Sequence, residues 1–584
     1  KTLTTWKVGA LCGALAGSLG ISACTGQVVG PEGGPMTIDP TTGEPTTTPP
    51  PDGTPGVMTP RPEVKPPGTA ARCTAEVIAQ RALRRLTNTE LEASLRATFG
   101  LDKTAWPSPS LVPDPASGDG FNNNGERLLV GDEYEKRLVE TGKDIATVVT
   151  SAAHLSRLLP CAATGNEACA TTFVDSIGSK LFRRPVTAVE RERYVALSRK
   201  IKTAGGDFKT WVYWATVGLI KSPNTLYRSE LGEATTGGKY KLGPYEVASA
   251  LSYAYTGGPP SASLLQLASS NRLGTADDVE AAARGLVFAA NGQVQPAFRE
   301  QVLRFADQWL GLSPLGNINK DKMAFPDFTP DVQDALGEEF RRYFAGVLID
   351  EKGKPGDLLT APYTFVNATL SKFYGFGAAP GADFVKVARP ANAGVGLMAQ
   401  GAILSIAAAN KTTSPTKRGH LVRERLLCQV VPPPPAVVDP LPEPTEAETT
   451  RQRYEELHAK DPGCKGCHNL MDPIGFGLEK LDATGRFRAM EGRFPINDSG
   501  KVSNTSTGDI EFSGASELAA ALGKLPEVSD CMADFATAYT HGIEHKASGC
   551  MARAAADDMK AGKIGFLDFM VKMARSESFR VRVP

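Results

Sequence analysis

The sequence lacks an excess of either charge and, after its first residues, any apolar run long enough to cross a membrane. Its 584 residues contain 64 Lys and Arg against 64 Asp and Glu, so no net charge attracts nucleic acid or an anionic lipid surface. The longest apolar candidate, residues 396–409, is interrupted by Gln400 and predicts a buried helix instead of a membrane span. We therefore exclude nucleic acid as a partner.

Alternating apolar and polar residues, which mark half-buried strands, are also scarce. Helix signals are frequent: Thr87 and Glu90, and again Thr187 and Glu190, have the spacing of a capping box, and Pro244 suits a first helical position. Residues 493–506 are compatible with a short hairpin. A chain of this length exceeds one ordinary core. The sequence therefore predicts a mostly α, multi-module helical protein with few short strands.

The N-terminal residues have the pattern of a bacterial lipoprotein signal. Lys1 and Lys7 precede the uncharged residues 8–23, and small residues lead to Cys24. The apolar part is too short for a comfortable membrane span. We expect cleavage before Cys24, lipidation of that cysteine and, because Thr25 is not acidic, location in the outer membrane; an ordinary signal peptide is the alternative.

Export changes the expected chemistry of the cysteines. Removing Cys12 with the signal and using Cys24 as the anchor leaves eight of the ten cysteines, and unpaired thiols rarely persist in an oxidising compartment. If the CxxC pair is used for a cofactor, proximity along the chain favours two disulfides and elimination gives a third. These pairs are Cys161–Cys169, Cys531–Cys550 and Cys73–Cys428.

One CxxCH motif, Cys464-Lys-Gly-Cys-His468, stands out in the C-terminal third. Random placement of ten Cys and six His gives roughly 0.002 occurrences in this chain. Two thiols one helical turn apart can add to the vinyl groups of one haem, and the adjacent imidazole can bind the iron. We expect Cys464 and Cys467 as thioether anchors and His468 as the proximal ligand.

Two other readings of the motif stay open. Zinc could be bound by Cys464, Cys467, His468 and His458, although adjacent Cys467 and His468 would then have to share one ion. The CxxC pair could instead form a structural or redox disulfide, with His468 lowering a thiol pKa.

Residues around the motif supply candidate ligands and contacts. His458, at the end of an expected helix beginning near Thr449, and Met532, far downstream, are candidates for a sixth iron ligand. Met471 lies one turn from His468, on the same side of a haem, and is disfavoured.

Two glycines and two arginines follow the motif. Gly475 and Gly477 lower helix stability, which suggests close approach by another group, such as a porphyrin edge. Arg486 and Arg488 could pair with haem propionates.

Several long strings together resemble one family. They are RRLTNTELEASLRATFGL (84–101), DGFNNN (119–124), FRRPVTAVERERY (182–194), LYRSELG (226–232), YKLGPYEVASALSY (240–253), QWLGL (308–312), TSPTKRGHLVRERLLCQVVPPPP (413–435) and CKGCHNLMDPIGFGLEKLDATGRFR (464–488). In this order they resemble the large planctomycete and myxobacterial cytochrome-like cell-envelope proteins built from five consecutive domains of unknown function. The resemblance implies a CxxCH haem site in the fourth domain and names no reaction or catalytic residue.

We divide the chain accordingly. The expected parts are a signal peptide (1–23), a Pro/Thr/Gly-rich tether (24–74), helical modules (75–150, 151–203 and 204–380), a CxxCH module (390–492) and a C-terminal helical module (493–584). The expected function is that of an exported lipoprotein with one covalent c-type haem, in electron transfer with a redox partner protein or in haem-dependent oxidation. The alternative is a non-enzymatic envelope protein that binds polysaccharide or protein and carries a CxxC disulfide or zinc.

Overall fold

The structure is a computed structural model in which two compact units divide the chain, residues 1–63 and 64–584. It describes residue 73 and residues 75–108, 110–377, 381–432, 447–458 and 462–584, and in the first unit an antiparallel pair of short strands, Thr37–Ile38 and Pro45–Thr46. The predicted signal peptide, Cys24 and almost all of the predicted tether lie outside the described residues.

The N-terminal part of the second unit is helical. Its helices span Asn88–Phe99, Asp132–Val149, Ala152–Leu158, Glu167–Phe173, Ser179–Phe182, Ala188–Thr203, Phe208–Lys221 and Pro223–Leu226, with a 3-10 turn at Pro160–Ala163 and a π-turn at Val174–Gly178. Both predicted capping boxes are present, at Thr87 with Glu90 and at Thr187 with Glu190. Each satisfies backbone N–H groups that the first helical turn leaves without partners.

The central part continues with helices Pro244–Thr256, Ala262–Ser269, Ala276–Val287, Pro296–Trp309, Pro330–Ala345, Pro355–Thr360 and Ala368–Tyr374, a 3-10 turn at Leu315–Asn317 and a π-turn at Gly346–Asp350. Proline occupies the first helical position in four of them, as predicted for Pro244. The missing N–H of proline costs nothing there, because that group has no intrahelical acceptor.

The C-terminal part contains the remaining helices and turns. The helices are Gly401–Ile406, Pro415–Leu421, Thr450–His458, Pro462–Phe476, Gly514–Gly523, Pro526–His541, Arg553–Lys560 and Phe566–Met573; the turns are Ala391–Ala393, Leu397–Ala399, Val422–Leu426, His545–Ala547 and Glu577–Phe579. The predicted buried helix at 396–409 is thus a short turn followed by a short helix. Across the described residues, no helix is both long and apolar enough to span a membrane.

The strands of this unit are short and pair antiparallel. The pairs are Ala82–Arg85 with Tyr227–Glu230, Tyr363–Val366 with Val385–Ala388, Met490–Glu491 with Phe494–Pro495, and Ser499–Thr505 with Gly508–Ser513; Tyr240–Lys241 lies between Glu233–Ala234 and Val581–Arg582. The protein is mostly α with few short strands, as predicted.

Two large hydrophobic clusters form the interior of this unit. One is built from side chains between Leu86 and Leu226 together with Tyr253. The larger one combines Phe121 with side chains between Leu242 and Phe579. Because Phe121 and Tyr253 each join the cluster formed mainly by the other part of the chain, the two clusters pack as neighbours in one body.

The DGFNNN string connects segments that are far apart along the chain. The Asp119 carboxylate accepts a hydrogen bond from the His545 backbone N–H (2.7 Å), and its carbonyl accepts one from Arg425 (2.7 Å). The Asn122 N–H donates to the Gln308 side chain (3.0 Å). Sequence analysis assigned this string no role beyond the resemblance; in the fold, the string joins three later segments.

Among the described residues three disulfides are present, and two of them differ from those expected. The structure pairs Cys161 with Cys169, Cys73 with Cys550 and Cys428 with Cys531. The first is the predicted pair. The predictions Cys531–Cys550 and Cys73–Cys428 were wrong because they relied on distance along the chain and on elimination.

Contacts between distant parts of the chain explain why these cysteines pair differently from the prediction. Near the start of the second unit, the Val77 N–H donates to the Cys550 carbonyl (3.3 Å), which places Cys550 beside Cys73. The helix carrying Cys531 packs against the turn just before Cys428, and the Cys531 sulfur lies 3.5 Å from the Arg425 carbonyl. Both bridges therefore follow long-range packing that a single sequence does not display.

Candidate functional site: the CxxCH helix

The CxxCH motif lies within helix Pro462–Phe476. Cys464 and Cys467 are three residues apart, so they lie about one helical turn from each other on neighbouring parts of the helix surface. Both cysteines and His468 are half-buried. The helix therefore presents two thiols and an imidazole at a partly accessible surface.

The imidazole of His468 is held by residues from two helices. Its Nδ1 lies 3.0 Å from Asp472 Oδ2 and 3.4 Å from the Thr416 hydroxyl. That hydroxyl donates to Asp472 Oδ1 at 2.6 Å. Asp472 is only 5% exposed, and Thr416 belongs to helix Pro415–Leu421. These contacts fix the ring orientation and make Nε2 the nitrogen that can serve as a metal ligand.

Glycines allow the helix Pro415–Leu421 to cross the CxxCH helix at very short range. A Cβ atom on Gly475 would lie 2.0 Å from the Pro415 carbonyl oxygen, and one on Gly419 would lie 1.9 Å from that of Met471. A Cβ on Gly477 would lie 2.2 Å from the Phe512 ring. The group that approaches these glycines is thus the protein itself, which corrects the expectation of a porphyrin edge at Gly475 and Gly477.

Arg418 binds the segment that follows the CxxCH helix. It is fully buried, and its guanidinium donates to the carbonyl oxygens of Leu478 (2.6 Å), Leu481 (2.8 Å) and Asp482 (2.7 Å). Burial lowers the pKa of Arg418 to about 10. The group remains charged at neutral pH, and the Glu479 carboxylate lies 3.5 Å from it as a counter-charge.

Arg423 binds the CxxCH helix itself. Its Nε donates to the Leu470 carbonyl at 2.9 Å, and its other nitrogens donate to Ser503. Pro473, two residues before Gly475, lies inside this helix, where its missing N–H weakens the regular bonding. Sequence reasoning overlooked Arg418 and Arg423, although the arginine-rich string 413–435 that contains them was a visible signal.

Arg486 and Arg488 form ion pairs within the protein. Arg488 forms ion pairs with Glu479 (2.9 Å) and Glu491 (3.5 Å). Arg486 pairs with Asp482 (3.3 Å) and with another carboxylate of the chain. Carboxylates of the protein thus already bind both guanidinium groups, and a role of the two arginines at haem propionates stays a prediction.

The candidates for a sixth ligand differ in what the structure shows of them. Met532 is 1% exposed and packs in the larger hydrophobic cluster, as expected of a core methionine. His458 is the last residue of helix Thr450–His458, and its side chain lies outside the described residues. A role for either residue as an iron ligand stays a prediction.

The residues present supply what a c-type haem needs from the protein, whereas the zinc alternative includes His458, whose side chain lies outside the described residues. Within the described part of the chain, no three His, Cys, Asp or Glu side chains gather into a group that could hold a metal ion. A c-type haem needs only two thiols one turn apart and one imidazole from the protein. Cys464, Cys467 and a His468 ring oriented through Nδ1 meet that requirement.

Four sequence families match consecutive segments of the chain. In chain order they are PSD3 (DUF1587) at residues 84–151, PSD5 (DUF1595) at 169–230, PSD4 (DUF1592) at 242–376 and PSCyt3 (DUF1588) at 394–491, each described as a protein of unknown function. The chain therefore contains four consecutive PSD and PSCyt domains. The CxxCH helix lies inside the PSCyt3 segment.

These matches agree with the multi-domain, cytochrome-like family that the sequence resembles. They also place the parts of the candidate site in one domain. The PSCyt3 domain contains the helix with Thr416, the arginines of the 413–435 string and the CxxCH helix. The expected fifth module, 493–584, stays a prediction. No curated protein and no solved structure matches the chain.

Proposed function

We propose that the protein is an exported cell-envelope lipoprotein that carries one covalent c-type haem and exchanges electrons with a partner protein. The observation that carries this proposal is the His468 ring, held through Nδ1 on a helix whose preceding turn presents Cys464 and Cys467. A ring fixed in this way offers one defined nitrogen to a metal. A single CxxCH motif provides one redox centre, so electrons need a donor or acceptor outside this chain.

The two thiols have defined roles in this proposal. Cys464 and Cys467 would hold the haem by thioether bonds to its two vinyl groups, with each thiol hydrogen added to the other vinyl carbon. The addition consumes no oxidant. His468 supplies the imidazole ligand, and the bound haem supplies reversible one-electron chemistry.

The packing around the helix supports electron transfer because it keeps the ligands still. Gly419 and Gly475 allow backbone contact between two helices. Arg418 and Arg423 bind carbonyl oxygens in and just beyond the CxxCH helix. A site that barely rearranges between oxidation states needs little reorganisation, which favours rapid transfer.

An absorption spectrum tests the haem. The full chain, produced in a strain competent for haem attachment, should show a Soret band that survives acid–acetone extraction. Cys464→Ala with Cys467→Ala should lose the extraction-resistant haem, whereas Cys161→Ala with Cys169→Ala, which removes a distant disulfide, should retain it. Absence of covalent haem, while a control cytochrome in the same cells acquires it, overturns the proposal; zinc in elemental analysis would then favour the zinc alternative.

The membrane anchor has a separate test. Cys24→Ala should move the protein from the washed membrane fraction to the soluble fraction, since the lipid is expected to be its attachment. Incorporation of radiolabelled palmitate into the wild-type chain, and its loss in the variant, is the matching positive measurement. A Cys24→Ala protein that stays on washed membranes contradicts the lipoprotein assignment.

A further inference from the structure

The acceptor on the Nδ1 side of His468 is a carboxylate. Asp472 follows His468 by four residues on the same helix, and the two side chains are 3.0 Å apart. An ionised carboxylate can only accept a hydrogen bond, so the proton of this contact belongs to Nδ1. The side chain of Asp472 is 7% exposed and that of His468 22%, so water screens the pair only weakly.

We propose that Asp472 is a positioning residue that makes the His468 imidazole a stronger electron donor and thereby lowers the reduction potential of the haem. This inference rests on the proposed function. A carboxylate that accepts the Nδ1 hydrogen bond draws the proton partly away from the ring, which raises the basicity of Nε2. A more basic ligand favours the oxidised, more positive iron, and hydrogen bonding to the axial ligand is one of the ways in which a protein sets a haem potential.

Thr416 weakens the effect of Asp472 on the His468 ring. Its hydroxyl donates to the other carboxylate oxygen, Asp472 Oδ1, at 2.6 Å. That bond withdraws negative charge from the carboxylate and so moderates its pull on the His468 proton. Because Thr416 lies on the helix that Gly419 and Gly475 bring into backbone contact, the geometry of the three side chains is set by packing between helices and not by the CxxCH helix alone.

A surface pair on the neighbouring helix provides the matched comparison. Arg451 and Glu455 also form an i,i+4 pair, at 2.8 Å, but the Glu455 side chain is 52% exposed. Glu455→Gln removes the same charge as Asp472→Asn while leaving the contacts of His468 in place. Because the two substitutions remove the same charge, a larger effect of Asp472→Asn points to the contact of Asp472 with the ring.

The experiment is potentiometric titration of the full-length protein with haem attached. Asp472→Asn, which keeps the side-chain shape, should raise the midpoint potential by at least 59 mV, a tenfold change in a one-electron equilibrium. Thr416→Val should lower the potential, because the carboxylate then keeps its full charge. Glu455→Gln should shift the potential much less than Asp472→Asn does.

Two results overturn the inference. One is a shift in Asp472→Asn no larger than that in Glu455→Gln, with haem attached in both; the other is a raised potential in Thr416→Val, which also decides the question if Asp472→Asn fails to fold. If the wild-type chain acquires no haem, the proposed function fails, and the contact is tested by ¹⁵N-labelled histidine spectra of the haem-free protein. A strongly deshielded Nδ1 proton that Asp472→Asn moves upfield supports the positioning contact, and its absence removes it.

Discussion

At the scale of single residues, one buried histidine makes the stability of the protein depend on pH. His541, at the end of helix Pro526–His541, is 6% exposed. Its Nδ1 lies 3.0 Å from the Thr537 carbonyl, and its ring packs 4.8 Å from that of Phe579. Within the described structure its buried Nε2 has no hydrogen-bond partner. Burial, assisted by the nearby positive charges of Arg582 and Arg84, lowers the pKa of His541 to about 4.

Acidification should therefore destabilise the protein through His541. The folded pKa lies below the unfolded value, so the unfolded chain binds the extra proton between about pH 6.5 and pH 4, and stability falls as the pH falls through that window by up to about 1.4 kcal/mol per pH unit. His541→Gln should flatten this dependence. Urea midpoints of both proteins at pH 7 and pH 5 measure it; equal losses in the two would contradict the assignment.

At the scale of elements, the close contact between helices Pro415–Leu421 and Pro462–Phe476 holds the parts of the site together. Gly419 and Gly475 each face backbone atoms of the partner helix, at distances that leave no room for a methyl group. Gly466, on the same CxxCH helix, has nothing within 4 Å of a Cβ position. Two of the three glycines thus serve packing, and the third only lowers helix propensity.

Alanine substitution should separate these two kinds of glycine. Gly475→Ala should cost about 1 to 3 kcal/mol or more, because a methyl group would have to displace the backbone. Gly466→Ala should stabilise by about 0.5 to 1 kcal/mol through helix propensity. Thermal unfolding of the two variants measures the difference, and a destabilised Gly466→Ala beside an unaffected Gly475→Ala would refute the packing.

The ends of the folded unit meet at a buried ion cluster, which belongs to the scale of the whole molecule. Glu230 pairs with Arg84 (2.8 Å) on the adjoining strand and with Arg582 (2.6 Å) near the C-terminus, and Arg228 lies 3.6 Å away. Burial by itself raises the pKa of Glu230, but the three arginines outweigh it and hold the pKa well below its usual range. The cluster therefore stays ionised down to strongly acidic pH.

Glu230→Gln should destabilise the molecule by about 3 to 5 kcal/mol, because it leaves buried arginines without a counter-charge. Guanidinium denaturation at pH 7 measures the loss. Glu233→Gln, at an exposed position on a nearby strand, should have little effect. A similar small effect of Glu230→Gln would show that the arginines find other acceptors.

The disulfides also act on the whole molecule. Cys428 and Cys531 close a span of 103 residues, and Cys161 and Cys169 a span of 8. A crosslink over a longer span restricts the unfolded chain more, so replacing both cysteines of the longer bridge by serine should lower the midpoint of thermal unfolding further than the same change in the shorter one. Mass spectrometry of unreduced peptides checks the pairing, and recovery of a Cys531–Cys550 peptide would contradict it.

The sequence by itself determined the features that depend on neighbours along the chain. The capping boxes at Thr87 and Thr187 and the predominance of helix were readable because helix signals act within a few residues. The CxxCH motif was readable for the same reason, since its five residues are consecutive.

Only the tertiary structure decided what each feature meets. Two disulfides join other cysteines than the sequence predicted. Arg486 and Arg488 form ion pairs with carboxylates of the protein, and the backbone of a neighbouring helix lies against Gly475. The tertiary structure also brought Thr416 to Asp472 from another helix. These outcomes depend on contacts between residues tens or hundreds of positions apart, and those contacts are set by the packing of the whole core, for which local spacing carries no signal.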